Sequence, residues 1–340
     1  LAGHPVRLHL VLEEGAMRLS RPPAIAATLM MAAGLAAYVR YRRDIGQIVT
    51  AVEAGGALAD TTAGPIEYAE TGAGEPLLLI HGAGGGYDQG LLLARDFGDG
   101  FRIIAPSRFG YLRTPVPADA SPPAQAAAHV ALLDHLGVDR CIVVGVSAGG
   151  PSAIEFALRY RERTAALILL VPRTYDPTDA VGVNDQLSSR AVLWLVEHSA
   201  DFLFWLAMRV ARGAVVRFLG VPLRLEASAT KEERARVTEV IRSVLPLSRR
   251  ARGIATDSLA TVGPWPLERI AVPTLIVTAR DDLFQTLPGS RFTAEHLPGS
   301  ELRILERGGH LMVGQADRVK GWIRDFLQRS RDLTTMEQAV

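Results

Sequence analysis

The chain has 340 residues, 48% hydrophobic and 21% charged, with a formal net charge of +1. That length supports one large domain with an inserted or appended piece, and the near-neutral balance excludes an electrostatic footprint for nucleic acid. A single cysteine, Cys141, excludes an intrachain disulfide, and no Cys/His cluster or phosphate-cradling loop signals a metal or a cofactor.

Residues 1–16 carry no signal, and Met17 reads as a start. Arg18, Arg21, Pro22 and Pro23 precede an apolar run over 24–39, and Arg40, Arg42 and Arg43 follow it. Sixteen residues are short for a full span. The expectation is a single N-terminal membrane anchor, with a cleaved signal and a secreted or periplasmic protein as the alternative. Arginines on both flanks leave the side of the membrane open. Residues 44–56 read as a polar connector. Residues 57–62 and 65–70 are strand candidates around Ala63-Gly64, a hairpin signal. The runs 76–80 and 101–105 are continuously apolar, which suits strands buried on both faces. Residues 121–136 read as a helix stopped by Gly137, with Val130, Leu133 and Leu136 on one side. Strand 141–146, helix 151–160 and strand 165–171 come next. This alternation predicts an α/β fold with a mostly parallel, doubly wound sheet.

From 175 to 264 the alternation stops. The stretches 191–196, 202–208 and 214–219 are apolar and helical in character, and 231–252 is basic and amphipathic. Some ninety residues without a strand signal, between two strands of one sheet, read as an inserted helical cap. The sheet resumes at 273–277 and ends at 301–305. Residues 317–328 form a last amphipathic helix, and the polar tail 330–340 is expected to be loose. The domain reading is therefore a core over 57–174 and 265–329 with a cap over 175–264.

The chemistry centres on Gly145-Val146-Ser147-Ala148-Gly149, directly after strand 141–146. A serine on a sharp strand-to-helix turn is pushed out at the top of a sheet, and its strained backbone demands small neighbours. Its place at a helix start favours developing negative charge. The bland reading is a glycine-rich turn with a capping serine. A serine hydroxyl needs a base, and the base needs an acid to orient it. His310 follows the last strand and Asp281-Asp282 follows the strand before it. All of these would lie at the carboxyl edge of a parallel sheet, where ligands bind. The loop His81-Gly82-Ala83-Gly84-Gly85-Gly86 follows strand 76–80 and can turn backbone N–H groups toward the serine.

On these motifs the chain resembles the α/β-hydrolase superfamily over roughly 57–327. The resemblance implies Ser147, Asp282 and His310 as a catalytic triad, with Ala83 or Gly84 and Ala148 holding an oxyanion. In the family the acid commonly stands three residues after a glycine. Ala279 takes the glycine place here, so Asp282 is the better match and Asp281 the runner-up. The segment Pro106-Ser107-Arg108-Phe109-Gly110-Tyr111 matches the loop that usually carries an acidic residue where Ser107 stands.

The implied activity is hydrolysis of an acyl, ester-type bond in a small apolar or aromatic substrate, without a cofactor. The glycine-rich loop looks like that of carbon–carbon hydrolases acting on meta-cleavage products. Those enzymes often carry tryptophan after the histidine, where this chain has Leu311. A cofactor-free perhydrolase is a further alternative, and a ligand-binding receptor or tethered scaffold is the reading outside enzymes. Trp194, Phe204 and Trp205 are the cap residues expected to touch the substrate, with ordinary packing as the competing role.

Overall fold

A computed structural model describes residues 22–178, 201–260 and 262–338. The chain divides into two units, residues 1–43 and 44–340. Helix α1 (Pro22–Gly55) begins in the first and ends in the second. Residues 44–55, expected as a connector, are therefore helical. Their side of the second unit is tied down. The Tyr87 hydroxyl donates to the Val52 carbonyl at 2.6 Å, and Trp205 and Arg209 both donate to Asp44, at 3.0 and 2.6 Å. Among the described residues no helix is long and apolar enough to cross a membrane. The anchor expected at 24–39 is thus unsupported. Its apolar run is short, and α1 turns charged from Arg40 to Asp44.

The sheet holds β1 (Ala57–Thr61), β2 (Gly64–Thr71), β3 (Glu75–Ile80), β4 (Phe101–Pro106), β5 (Cys141–Val146), β6 (Thr164–Leu170), β7 (Thr274–Ala279) and β8 (Ser300–Leu305). Their spatial order is β1-β2-β4-β3-β5-β6-β7-β8. β1 and β2 form the expected hairpin, β2 runs antiparallel to β4, and β3 to β8 are all parallel. The continuous apolar runs have a plain cause. Alternate side chains leave opposite faces of a strand, and both faces are covered. Leu78, Ile80, Val143 and Leu167 pack on one side with α3 (Pro122–His135) and α4 (Gly150–Arg159). Leu77, Leu79, Val144 and Ile168 pack on the other with Ile323 and Phe326 of the last helix. Cys141 is buried in the first core, and burial pushes its thiol up to about 12, so it acts as a small apolar filler.

Two helices carried too little pattern to be read beforehand, α2 (Tyr87–Ala94) and α10 (Thr286–His296). The final helix, α11 (Ala316–Gln338), runs well past residue 328 into the tail expected to be loose. Arg329 pairs with Glu301 and Arg331 with Glu75, and Ser330 is buried. These contacts hold chain that looks featureless in sequence.

Between β6 and β7 the described residues form helices only: α5 (Asp201–Val210), α6 (Arg212–Phe218), α7 (Leu223–Ser228), α8 (Lys231–Arg242) and α9 (Ala251–Leu259). The helical stretch expected at 191–196 lies outside the described residues. Val215, Val216, Val221, Leu225 and Ile241 form a separate core for these helices, which also takes in Val313 beyond β8.

One buried group should govern acid stability. His129 on α3 is fully buried, and neither ring nitrogen has a hydrogen-bond partner among the described residues. Burial, helped by the charge of Arg108, pushes it down to about 3. The unfolded chain takes up this proton near 6.5, whereas the native protein does not until about 3. Stability therefore falls as pH drops through that window. His129→Leu is expected to be relatively more stable at pH 4 than at pH 7, by about 3 kcal/mol. Urea unfolding of both proteins at the two pH values checks this, and an equal difference at both would dismiss it.

Candidate active site

β3 and β5 are neighbours, but the chain leaves β3 for β4 on one side and reaches β5 on the other. Loops after β3 and β5 therefore diverge and open a crevice at their carboxyl ends. Ser147 occupies it at the end of β5, in a left-handed conformation with φ of +49°. That geometry is strained for a residue with a side chain and needs enforcement by its surroundings. Gly149 supplies part of it. A Cβ there would stand 2.5 Å from the Ile80 carbonyl oxygen and 2.7 Å from that of His81. Gly149→Val is expected to lower stability by at least 2 kcal/mol, seen as a lower urea midpoint. The turn then runs into α4.

The downstream candidates converge on this serine. His310 Nε2 lies 2.9 Å from Ser147 Oγ, and His310 Nδ1 lies 2.8 Å from Asp282 Oδ2. Asp282 and His310 are nearly buried. Burial alone would push the Asp282 carboxyl up. The opposing charge and hydrogen bond of His310, with the Thr286 hydroxyl and Phe284 N–H, outweigh it and hold the group below the ordinary carboxylate range. An ionised carboxylate only accepts, so Nδ1 carries the proton and Nε2 is left to accept from the serine hydroxyl. The Phe284 ring meets the imidazole edge-on at 4.6 Å. Gly220, between α6 and α7, fixes the loops. Its carbonyl accepts the N–H groups of both His310 and Leu283, each at 3.1 Å.

Asp281 does something else. Its Oδ1 accepts the N–H groups of Gly308 and Gly309 at 2.9 and 2.8 Å, and Arg224 donates to its Oδ2 at 3.2 Å. It braces the turn that carries His310.

The glycine-rich loop lies against the serine: a Cβ on Gly82 would stand 3.2 Å from Ser147 Cβ. Of the three N–H groups expected to face an oxyanion, Gly84 is already engaged, donating to the Tyr111 hydroxyl at 3.3 Å. The N–H groups of Ala83 and Ala148 have no acceptor among the described residues. His81 is fully buried and neutral. Burial and the charge of Arg108 hold it well below its usual value. It donates from Nδ1 to the Gly82 carbonyl and accepts the Arg108 N–H at Nε2. The acidic group missing at Ser107 is replaced in space by Glu67 of β2, whose carboxylate accepts from the Ser107 hydroxyl at 3.0 Å.

A cavity of about 440 Å³ opens above Ser147 and His310, with mostly apolar walls. Phe204 lines it together with Leu203, Leu219, Val240 and Val244. Trp205 does not. It is 2% exposed, donates to Asp44 and lies under the Arg209 guanidinium, so its role is packing. Trp194 lies outside the described residues. Thr286, Gly220, Arg108 and Asp257 were not singled out from sequence. Only Arg108 stood within a motif that could have flagged it.

Residues 75–317 match the model of the α/β hydrolase fold family. The chain belongs to that family and is a hydrolase. It is 30% identical over 258 residues to the uncharacterized hydrolase YcgS of Bacillus subtilis, covering 73% of this chain and 89% of that one. It is 30% identical over 269 residues to the 2-hydroxy-6-oxo-2,4-heptadienoate hydrolase of Pseudomonas putida, covering 76% and 91%. Among solved structures, a thermophilic esterase from Thermogutta terrifontis superposes with a TM-score of 0.60 at 26% identity, covering 82% and 99%.

Proposed function

We propose that the protein hydrolyses a carboxylic ester with an apolar acyl or aromatic part, through an acyl-enzyme on Ser147. The observation that carries this is the unbroken relay from Asp282 through His310 to Ser147, at 2.8 and 2.9 Å. In the proposed reaction, His310 Nε2 takes the Ser147 proton as Oγ attacks the carbonyl carbon. Asp282 holds the imidazole in the right tautomer and stabilises the imidazolium that forms. The N–H groups of Ala83 and Ala148 bind the oxyanion. His310 then protonates the leaving alcohol, activates a water, and the acid is released.

A carbon–carbon hydrolase is the second reading, favoured by the similarity to the heptadienoate hydrolase. Its substrate would bring a carboxylate that needs a cation. Among the described residues two arginines line the cavity. Arg236 is paired with the Glu233 carboxylate and donates to the Leu311 carbonyl. Arg173 reaches only backbone carbonyls, those of Asp257 and Ala260, and keeps a buried Nε without a partner among the described residues. Leu311 stands where carbon–carbon hydrolases often have tryptophan. The leucine supports an ester, while Arg173 is the cation that a carboxylate-bearing substrate would need.

Two assays test the reading together. A fluorophosphonate probe should label Ser147, and acyl esters of graded chain length should be turned over faster than a 2-hydroxy-6-oxo-dienoate. An unlabelled serine would end the triad reading. Faster turnover of the dienoate would replace ester cleavage with carbon–carbon cleavage.

A further inference from the structure

Behind the glycine-rich loop lies a buried polar network that the relay above does not use. Arg108 follows β4, and its side chain is 6% exposed. Its Nη1 and Nη2 donate to the two carboxylate oxygens of Asp257 at 2.6 and 2.7 Å. The same guanidinium donates from Nε to the His81 carbonyl at 3.0 Å and from Nη2 to the Gly82 carbonyl at 3.2 Å. Tyr111 donates its hydroxyl to Asp257 Oδ2 at 2.5 Å and accepts the Gly84 N–H.

Asp257 is not part of the sheet or its loops. It stands on α9, whose residues Ile254 and Ser258 line the cavity. Arg173 fixes this helix from the other side. Its guanidinium takes the carbonyls of Asp257 and Ala260, and its backbone N–H donates to the Ser147 carbonyl at 2.9 Å. One cap helix is therefore tied to both halves of the oxyanion site.

We propose that Asp257 is a positioning residue for the Ala83 oxyanion donor, acting through Arg108 and Tyr111. The geometry of the peptide unit gives the reason. The group joining Gly82 and Ala83 is planar and trans, so its C=O and N–H point in opposite directions. Arg108 and His81 both donate to the Gly82 carbonyl, which fixes the orientation of that peptide plane. The Ala83 N–H is thereby held pointing the opposite way from that carbonyl, in a loop whose Gly82 packs against Ser147. Tyr111 ties down the next N–H and keeps the loop from rotating. Without the Asp257 carboxylate, Arg108 is a buried cation lacking its counter-charge, and it will turn toward water and release the carbonyl. Preorganised donors carry much of the rate in acyl transfer, and a donor slightly misaimed loses that contribution without weakening ground-state binding.

This inference rests on the ester-hydrolase reading, and its test separates the two. Asp257→Asn and Tyr111→Phe are compared with the native protein for kcat, KM, thermal midpoint and rate of fluorophosphonate labelling. Asp257→Asn is expected to lower kcat by about 10- to 100-fold with KM within about threefold. The labelling rate should fall in parallel, because phosphonylation draws on the same donors. Tyr111→Phe, which keeps the ion pair and removes one tie, is expected to lower kcat by about three- to tenfold. The double variant Arg108→Met with Asp257→Leu removes both charges. Its thermal midpoint should recover relative to Asp257→Asn while kcat stays low, which a purely structural role would not produce. A rise in KM with kcat unchanged, or native labelling rates in both single variants, would overturn the positioning role. No labelling of the native protein would instead remove the reading beneath it.

Discussion

Ser147→Ala is expected to lower ester turnover by on the order of a million-fold, with the fold unchanged. The size follows from the serine being the only group that forms the new bond in the proposed route. Once it is gone, His310 has no proton to take and Asp282 no imidazolium to stabilise. What survives is the oxyanion pair and substrate binding, which in comparable systems leave a residual advantage over water of about 10³ to 10⁴. The fold should survive because the change removes one oxygen from a residue at the cavity edge and empties no core position. Alanine also meets the +49° φ at Ser147 with no larger side chain than serine. Ester hydrolysis, fluorophosphonate labelling and far-UV circular dichroism on the same preparation decide it. More than a tenth of native activity in a folded variant would remove Ser147 from the reaction.

The parts of the molecule legible in sequence are those where one local rule dominates. Strand 141–146 and the elbow after it combine a buried apolar run with glycines that a turned-out serine requires, and both stand where they were expected. His310 and Asp282 were found by position relative to predicted strand ends, because a parallel sheet brings its carboxyl ends to one rim. Other features were set by tertiary contacts, which leave no local pattern. Residues 44–55 look polar, yet they are helical and bonded through Asp44 and Val52. The segment 330–338 looks like a loose tail, yet Arg331 reaches Glu75 across 256 residues of chain. Trp205 shows the opposite failure. An aromatic in an apolar cap suggests a substrate wall, but its ring N–H needed a partner and found Asp44 away from the cavity. Asp257 was invisible for a related reason. A lone aspartate on a cap helix has no signature, and its meaning comes from Arg108, 149 residues earlier in the chain.

Two adjacent aspartates give a sharp contrast that composition alone could not resolve. Asp282→Asn is expected to lower kcat by about 10⁴-fold, and Asp281→Asn by no more than about tenfold. Asp282 accepts from His310 Nδ1, the Thr286 hydroxyl and the Phe284 N–H. An asparagine that keeps the Phe284 bond puts its amide NH2 where Oδ2 stood, facing both the imidazole and the Thr286 hydroxyl. With the amide N–H facing Nδ1, that nitrogen becomes the acceptor and the proton moves to Nε2, where it blocks uptake of the serine proton. The imidazolium also loses its counter-charge. Asp281 faces none of this, because both its oxygens serve the Gly308–Gly309 turn and Arg224. An asparagine there can still accept from at least one of those N–H groups, so the turn loosens and the relay stays. The two should also part in acid. The Asp282 carboxyl is held below its ordinary value, so its stabilising contribution is complete above about pH 3.9 and is lost as pH falls through the lowered native value. Asp282→Asn should flatten that acid limb of the unfolding curve. Steady-state kinetics at neutral pH, read beside acid unfolding, tests both. A larger kinetic loss in Asp281→Asn than in Asp282→Asn would reverse the assignment and leave His310 without its proposed partner.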